Sequence, residues 1–367
     1  MTAARRGGTG TKCRLDRIEA WQRRLTTMLS ILTEDEKVRD IQFDDSLQPH
    51  PKSLFRPVYD RRGLRLAIVL GNEAPSGMCP YAAGDNCHHC DIGLGEGHRF
   101  DPAMNLARLR WLQKHYSSIW PSVAHLVVYN SGSVLNRIEL APEILTAVLD
   151  FARSLPELRV VSLESREAFV TPEVVSRLTA DLGAGREVRV IVGIESADGT
   201  IRNKLLRKQM PRIAIERAVR AISTVRRVVV SKGNKAALPG LAANVIVGGP
   251  GTTLRSIVRD AVETSRYSLM LAQAYDLPLD LNLHPYYPSK RSTARFPDHT
   301  RPSLQALVEA VCCVAQSVGN HASVFVGLED EGHDQDPWDK AEQVTRFERA
   351  VDFFNRTGRQ DRFRALL

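Results

Sequence analysis

Between residues 64 and 320, short apolar runs alternate with longer segments of helical periodicity, and this alternation restricts the chain to few folds. The runs are LRLAIVLG (64–71), AHLVVYN (124–130), LRVVSLES (158–165), EVRVIVGIES (187–196), ALPGLAANVIVGG (237–249) and LPLDLNLHPYYP (277–288). Runs of this length, apolar on both faces, read as strands of a sheet covered by helices on both sides. The intervening segments are DPAMNLARLRWLQKHY (101–116), APEILTAVLDFARSL (141–155), TPEVVSRLTADL (171–182), a helical stretch to about residue 224, TTLRSIVRDAVETSRYSLM (252–270) and RPSLQALVEAVCCVAQSVG (301–319). Asp101–Pro102 and Thr171–Pro172 each supply a cap followed by proline at the first helical position. Repeated β/α units of this kind build a parallel sheet. No glycine-rich dinucleotide fingerprint follows the first strand. The fold class is therefore α/β, a partial (β/α)6 TIM-like barrel with N-terminal helical and C-terminal α/β additions.

Three regions follow from this reading. Residues 1–62 hold a disordered basic tail, an amphipathic helix LDRIEAWQRRLTTMLSIL (15–32) and a polar linker reaching Arg62. Residues 63–320 form the barrel. Residues 321–367 form an extension packed on it, with ASVFVGLED (322–330) as a candidate seventh strand and AEQVTRFERAVDFFNR (341–356) as a last helix.

The net charge is +8, and Arg5, Arg6, Lys12, Arg14, Arg17, Arg23 and Arg24 carry much of the excess. That balance suits phosphates or nucleic acid, but no basic stretch is interleaved with stacking aromatics. No run approaches a membrane span, and the basic N-terminus lacks the apolar stretch of a secretory signal. A cytoplasmic protein follows, in which thiols stay reduced and clustered cysteines bind metal more often than they pair.

Three of the six cysteines fall in MCPYAAGDNCHHCD (78–91), as Cys79, Cys87 and Cys90 with the spacing Cys-x7-Cys-x2-Cys. The loop follows the first barrel strand, at the end where such barrels carry their chemistry. Two readings compete. Zinc would take the three thiolates plus His88, His89 or His98. A [4Fe–4S] cluster would take three thiolates and leave one iron open. Cys312 and Cys313 lie in an apolar helical stretch and read as core.

The three-cysteine loop resembles that of the radical S-adenosylmethionine enzymes. The commonest gap there between the first two cysteines is three residues; here it is seven, while Cys87-His-His-Cys90 keeps the usual final spacing. The longer gap is similar to the group around the archaeosine-synthase radical partner and the Elongator catalytic subunit-like enzymes. Successive strand ends carry the same resemblance: YNSGSVLN (129–136), VVSLESREAFVTPE (160–173), VIVGIESADGTIRNKLLRKQM (190–210), NVIVGGPGTT (244–253) and LDLNLHPYYPSKRST (279–293).

The resemblance implies a cluster on Cys79, Cys87 and Cys90, with S-adenosylmethionine on its open iron and hydrogen-atom abstraction as the reaction class. Asn130, Ser131, Gly132 and Ser133 would receive the methionine amino group. Glu164 and Glu195 would meet ribose hydroxyls or the ammonium, and Arg207 the methionine carboxylate, with Lys204 and Lys208 as rivals. Gly248 and Gly249 would let backbone approach the adenine, Asn244 would reach a ribose hydroxyl, and Tyr81 would shield the cluster or stack near adenine. His88 and His89 would point away. His284, Tyr286, Tyr287, Lys290 and Arg291 would face substrate. A small molecule, such as a nucleoside or nucleotide, is the favoured substrate and tRNA the alternative; a flavodoxin- or ferredoxin-type protein would supply electrons. A non-catalytic zinc protein is the rival of a different class.

Overall fold

The computed structural model describes residues 56–90, 92–94, 99–250, 252–297, 301–327 and 341–367. The basic tail, the helix expected at 15–32, Cys13, His98 and Gly251 lie outside them. Eight strands form one sheet in chain order: β1 (Arg56–Asp60), β2 (Gly63–Leu70), β3 (Val123–Asn130), β4 (Val160–Ser165), β5 (Glu187–Glu195), β6 (Leu238–Val247), β7 (Leu279–Pro285) and β8 (Ser323–Val326). From β2 onward every neighbouring pair is parallel. All six expected barrel strands are present, and the candidate seventh is β8.

One strand corrects the sequence reading. Residues 56–60, assigned to the polar linker, pair antiparallel with β2 through a tight turn at Arg61–Arg62. Gly63 closes that turn at φ +130°, and Arg62 N–H donates to Asp60 Oδ1 at 2.7 Å. The strand is short and carries charge at both ends, so it lacks the apolar run that marks the others.

Helices cover the outside of the sheet. In chain order they are α1 (Pro80–Ala83), α2 (Pro102–His115), α3 (Pro142–Ser154), α4 (Pro172–Leu182), α5 (Arg212–Ser231), α6 (Leu254–Ala274), α7 (Lys290–Arg295), α8 (Leu304–Val318), α9 (Ala341–Thr357) and α10 (Asp361–Arg364). The caps fall where the sequence puts them: Asp101 accepts from Met104 N–H and Thr171 from Val174 N–H. The main core lies between this helical layer and the outward faces of the strands, and it includes Cys312. The sheet has no β8–β1 pairing. Instead α9 packs against both edges. Asn355 exchanges two hydrogen bonds with the Val326 backbone, at 2.8 and 2.9 Å, and Arg356 lies 3.8 Å over the Tyr59 ring. No helix among the described residues is long and apolar enough to cross a membrane.

The inward faces of the strands form layers. A polar belt closes the N-terminal end of the barrel. His125 Nδ1 meets Asp60 Oδ2 at 2.6 Å and its Nε2 meets Ser162 Oγ at 2.7 Å, while Asp280 pairs with Arg62 at 2.8 Å and Arg189 at 3.4 Å. Burial alone would raise the Asp60 carboxyl; the bond and charge of His125, with the Arg65 charge and the Arg62 N–H, together outweigh it and hold Asp60 well below the usual carboxylate range. Above the belt sit Ala67, Val127, Ile191 and Ala242, a small apolar layer packed with Tyr129. Above that layer, at the C-terminal strand ends, the barrel opens.

Candidate functional site

The opening is a cavity of about 890 Å³, continuous with solvent. Its wall contains Cys79, Cys87 and Cys90 together with Asn130, Gly132, Ser133, Glu164, Glu195, Asn244 and His284. Residues from β3, β4, β5, β6 and β7 and their following turns thus meet the cysteine loop in one space. They do so because the side-chain period of two that buries the small layer also turns every second residue above it inward.

The loop is fixed from three sides. Cys79 N–H donates to Gly93 O at 2.9 Å, and Cys87 and His88 N–H donate to Arg207 O and Leu206 O, each at 3.0 Å. Arg291 Nη1 donates to Ala82 O at 2.8 Å and Asn86 O at 3.2 Å, and Ser289 Oγ bonds His88 O. Gly93 N–H donates to Cys90 Sγ at 3.3 Å, and Arg166 Nη1 to Cys87 Sγ at 3.3 Å. Asp85 and Cys87 adopt positive φ, 57° and 52°, a conformation that non-glycine residues keep only where the surroundings enforce it.

Behind the loop lies Glu139, a carboxylate that sequence reading missed. It is fully buried and accepts from Asn136 Nδ2 at 2.7 Å, from Asn72 Nδ2 at 3.1 Å and from Ser133 N–H at 3.1 Å. Its carboxyl also meets the Cys79 thiol, and burial raises its pKa. A Cβ on Gly132 would stand 1.7 Å from Glu139 Oε2, so this turn requires glycine. Burial, with Glu139 nearby, pushes the Cys79 thiol up to about 11. Asn130 Nδ2 donates to Glu139 O at 3.2 Å, and its buried Oδ1, at the cavity wall, has no partner. An unpaired buried acceptor calls for a donor from a bound group.

The opposite wall carries a buried ion pair, Lys208 Nζ to Glu195 Oε1 at 2.5 Å. Burial would lower the Lys208 pKa, but Glu195 and Cys87 outweigh it and leave the ammonium favoured. Glu195 itself sits at φ +63°, after a register shift between Gly193 and Glu195. A Cβ on Gly193 would lie 2.4 Å from Glu195 Oε1 and 2.5 Å from Lys208 Nζ. Arg202, also buried, ties the ends of this segment by donating from Nε to Met210 O at 2.7 Å and from Nη1 to Ser196 O at 2.5 Å.

Other expected residues stand elsewhere. Arg207 turns out of the cavity and pairs with Asp85 Oδ2 at 2.7 Å; the cations that line it are Lys208 and Arg166. His88 turns outward to Asp85 Oδ1 at 3.0 Å, whereas His89, expected to point away, lines the cavity with Nε2 3.8 Å from Glu195 Oε1. Tyr81 lies under the Arg166 guanidinium, 3.6 Å from ring centroid to Cζ. Ser131 accepts from Asn72 Nδ2 through its carbonyl at 2.7 Å. Gly248 and Gly249 make a turn at φ +100° and +144° beyond the cavity wall. Of the five residues expected to face substrate, His284 lines the cavity. Tyr286 is buried with its hydroxyl on Ser292, Tyr287 stacks under Arg301 at 4.7 Å, Arg291 braces the cysteine loop, and Lys290 begins α7.

The donor set fits a cluster. Among the described residues no group of three or more His, Cys, Asp or Glu side chains is gathered tightly enough for one metal ion. A cubane takes each thiolate on a different iron, so its three sulfurs ring a volume instead of converging on a point. The zinc reading needs a fourth ligand; of its candidates His88 turns to Asp85 and His89 to Glu195, and His98 lies outside the described residues.

These features define an open (β/α) barrel with three cysteines at its C-terminal mouth. No protein-family model matches the sequence, and no curated protein matches it. Among solved structures, the chain is similar to TsrM, a radical S-adenosylmethionine methyltransferase from Kitasatospora setae with cobalamin and a [4Fe–4S] cluster bound. That match has 19% identity, covers 61% of this chain and 37% of that one, and gives a TM-score of 0.33. It is also similar to the radical enzyme coproporphyrinogen III oxidase of Escherichia coli, with 14% identity, 54% and 41% coverage and a TM-score of 0.35. Methylornithine synthase matches with 12% identity, 84% and 87% coverage and a TM-score of 0.41. The chain spans less than half the length of the first two. Structural neighbours of this chain thus include radical S-adenosylmethionine enzymes, and at these identities the likeness is one of fold.

Proposed function

We propose that this chain is a radical S-adenosylmethionine enzyme acting on a small molecule held in the barrel mouth. The observation that carries the reading is the convergence of Cys79, Cys87 and Cys90 with Asn130, Ser133, Glu164, Glu195 and Lys208 on one cavity. Cys79, Cys87 and Cys90 would hold the [4Fe–4S] cluster. When bound, that cluster supplies the electron that cleaves the sulfonium C–S bond of S-adenosylmethionine and so starts hydrogen-atom abstraction.

The chain's own residues bind and orient. Asn130 Oδ1 is a ready acceptor for the methionine ammonium, and Gly132 lets the Glu139 carboxylate pack against the turn behind it. Lys208 takes the carboxylate role assigned by sequence to Arg207, one residue earlier. Glu195, held by Lys208, and Glu164 on the neighbouring strand offer acceptors to ribose hydroxyls. Asn244 and His284, on the cavity wall at β6 and β7, face the substrate. The mouth, walled by the strand ends, favours a small molecule such as a nucleoside, with a flavodoxin- or ferredoxin-type reductant. The barrel walls keep the reacting atoms away from water.

The test is anaerobic reconstitution, followed by reduction with S-adenosylmethionine and assay of iron, sulfide and 5′-deoxyadenosine. About four irons per chain and formation of 5′-deoxyadenosine are expected, both lost in Cys79→Ala, Cys87→Ala and Cys90→Ala. Stoichiometric zinc with no 5′-deoxyadenosine refutes the reading.

A further inference from the structure

Arg166 lines the cavity but has no part in the binding scheme above. Its planar guanidinium is hydrogen-bonded at both terminal nitrogens, while Nε makes a charge contact without a hydrogen bond. Nη1 donates to Cys87 Sγ at 3.3 Å, Nη2 donates to Lys208 O at 2.8 Å, and Nε faces Glu167 Oε2 at 3.4 Å. One face covers the Tyr81 ring at 3.6 Å. Arg166 and Glu167 are each 8% exposed. A group so fully engaged by the protein is poorly placed to clamp a ligand. It is well placed to act on the sulfur it touches.

We propose that Arg166 is a positioning residue that pins Cys87 and raises the reduction potential of the cluster bound there, with Glu167 as its counterweight. The proposal rests on the radical-enzyme reading. Reduction adds an electron to the cluster, and a hydrogen bond or positive charge at a ligand sulfur stabilises the added charge. A guanidinium keeps its proton at any working pH, so this charge is permanent. The low dielectric around a buried group amplifies it. Cys90 Sγ, by contrast, receives the uncharged N–H of Gly93. The two sulfurs therefore differ electrostatically. Glu167, directly bonded in sequence and paired to Nε, partly offsets the charge.

Two substitutions act with opposite sign. Arg166→Gln removes the cation and should move the midpoint to a more negative potential. Glu167→Gln leaves the cation unopposed and should move it to a more positive one. Each shift is expected at roughly tenfold in the reduction equilibrium, about 59 mV for one electron. The readout is a redox titration followed by electron paramagnetic resonance on reconstituted protein without S-adenosylmethionine, alongside iron content. A purely structural role for Arg166 predicts lower iron in the variants and no opposed shifts. If Arg166→Gln binds little iron, Glu167→Gln decides alone: a wild-type midpoint there overturns the tuning. Should the wild-type chain take up no cluster, it is the functional reading that fails, not this one.

Discussion

Asp260→Asn tests the packing beneath the Glu195–Lys208 segment in a way that needs no cofactor. Asp260 lies on α6, is 7% exposed and accepts from Ser196 Oγ at 2.7 Å, immediately after Glu195. Burial, aided by Asp198 and Glu263, pushes its carboxyl from 3.8 up to about 6. The folded chain therefore holds this proton more tightly than the unfolded chain does. The associated stability is fully present below about pH 4 and is lost as pH rises through about 6. A shift of about two units corresponds to about 3 kcal/mol. An asparagine keeps an oxygen for Ser196 and carries no charge at any pH. Urea unfolding of apo protein, under reducing conditions from pH 4 to pH 8, should show the variant more stable than wild type by about 3 kcal/mol at pH 8. The gap should close towards pH 4. Because Asp60, Asp280, Glu73 and Glu139 titrate alike in both proteins, the difference isolates Asp260. A variant less stable than wild type at pH 8, or a gap independent of pH, refutes the argument.

Other substitutions address the cavity directly. Lys208→Met strands the Glu195 carboxylate in a buried place, so apo protein should lose about 3 kcal/mol at pH 7, with the Glu195→Gln/Lys208→Met double variant recovering most of it. The same change should weaken equilibrium binding of S-adenosylmethionine to reconstituted protein far more than Arg207→Met does, since Arg207 pairs with Asp85 outside the cavity; equal losses would return the carboxylate role to Arg207. Gly132→Ala drives a methyl into Glu139, whose carboxylate is locked by three donors, and should cost about 1–3 kcal/mol in thermal or urea unfolding while weakening cofactor binding.

Most of the fold was legible because its signals are long and repeated. Strands such as VIVGIE and helices opened by Asp101–Pro102 or Thr171–Pro172 state their period and their start within a few residues. β1 has neither: five residues, RPVYD, make a strand only because the hairpin turn returns them to β2. The cysteine loop was legible from spacing. The choice between Arg207 and Lys208 was not, because no helical or strand period runs through that segment. Ile201–Leu205 is a single π-helical turn, and Arg207 and Gln209 follow at φ 52° and 51°. Two left-handed residues flanking Lys208 send its side chain inward and theirs outward, and a sequence does not announce left-handed arginine or glutamine. Glu139 and Arg166 were hidden for another reason. Their roles come from groups 60 and more residues away, such as Cys79 and Cys87, brought to them by the barrel's closure.

The same alternation that builds the sheet also separates its two polar zones. On β3 the inward residues are His125, Val127 and Tyr129; on β5 they are Arg189, Ile191 and Gly193; on β6, Ala242 is followed by Asn244. β3 and β5 thus read polar, apolar, cavity along one face, whereas β7 carries Asp280, Asn282 and His284 there and stays polar throughout. The apolar layer of Ala67, Val127, Ile191 and Ala242 is made of small and branched side chains because eight strands leave little room at the barrel's waist. Its effect is electrostatic as well as steric. It stands between part of the charged belt and the Glu195–Lys208 pair above, while Asn282 on β7 joins the two zones by accepting from Arg65 Nη1 at 3.4 Å and donating to Asn244 Oδ1 at 3.0 Å. Enlarging the layer with Ala242→Leu should therefore press on the cavity floor, while Ala242→Asp would bury a charge among apolar neighbours. The barrel positions its chemistry by this layering: a polar base that orders the strands, a mostly apolar waist crossed by Asn282, and an open mouth where strand-end residues face the three cysteines.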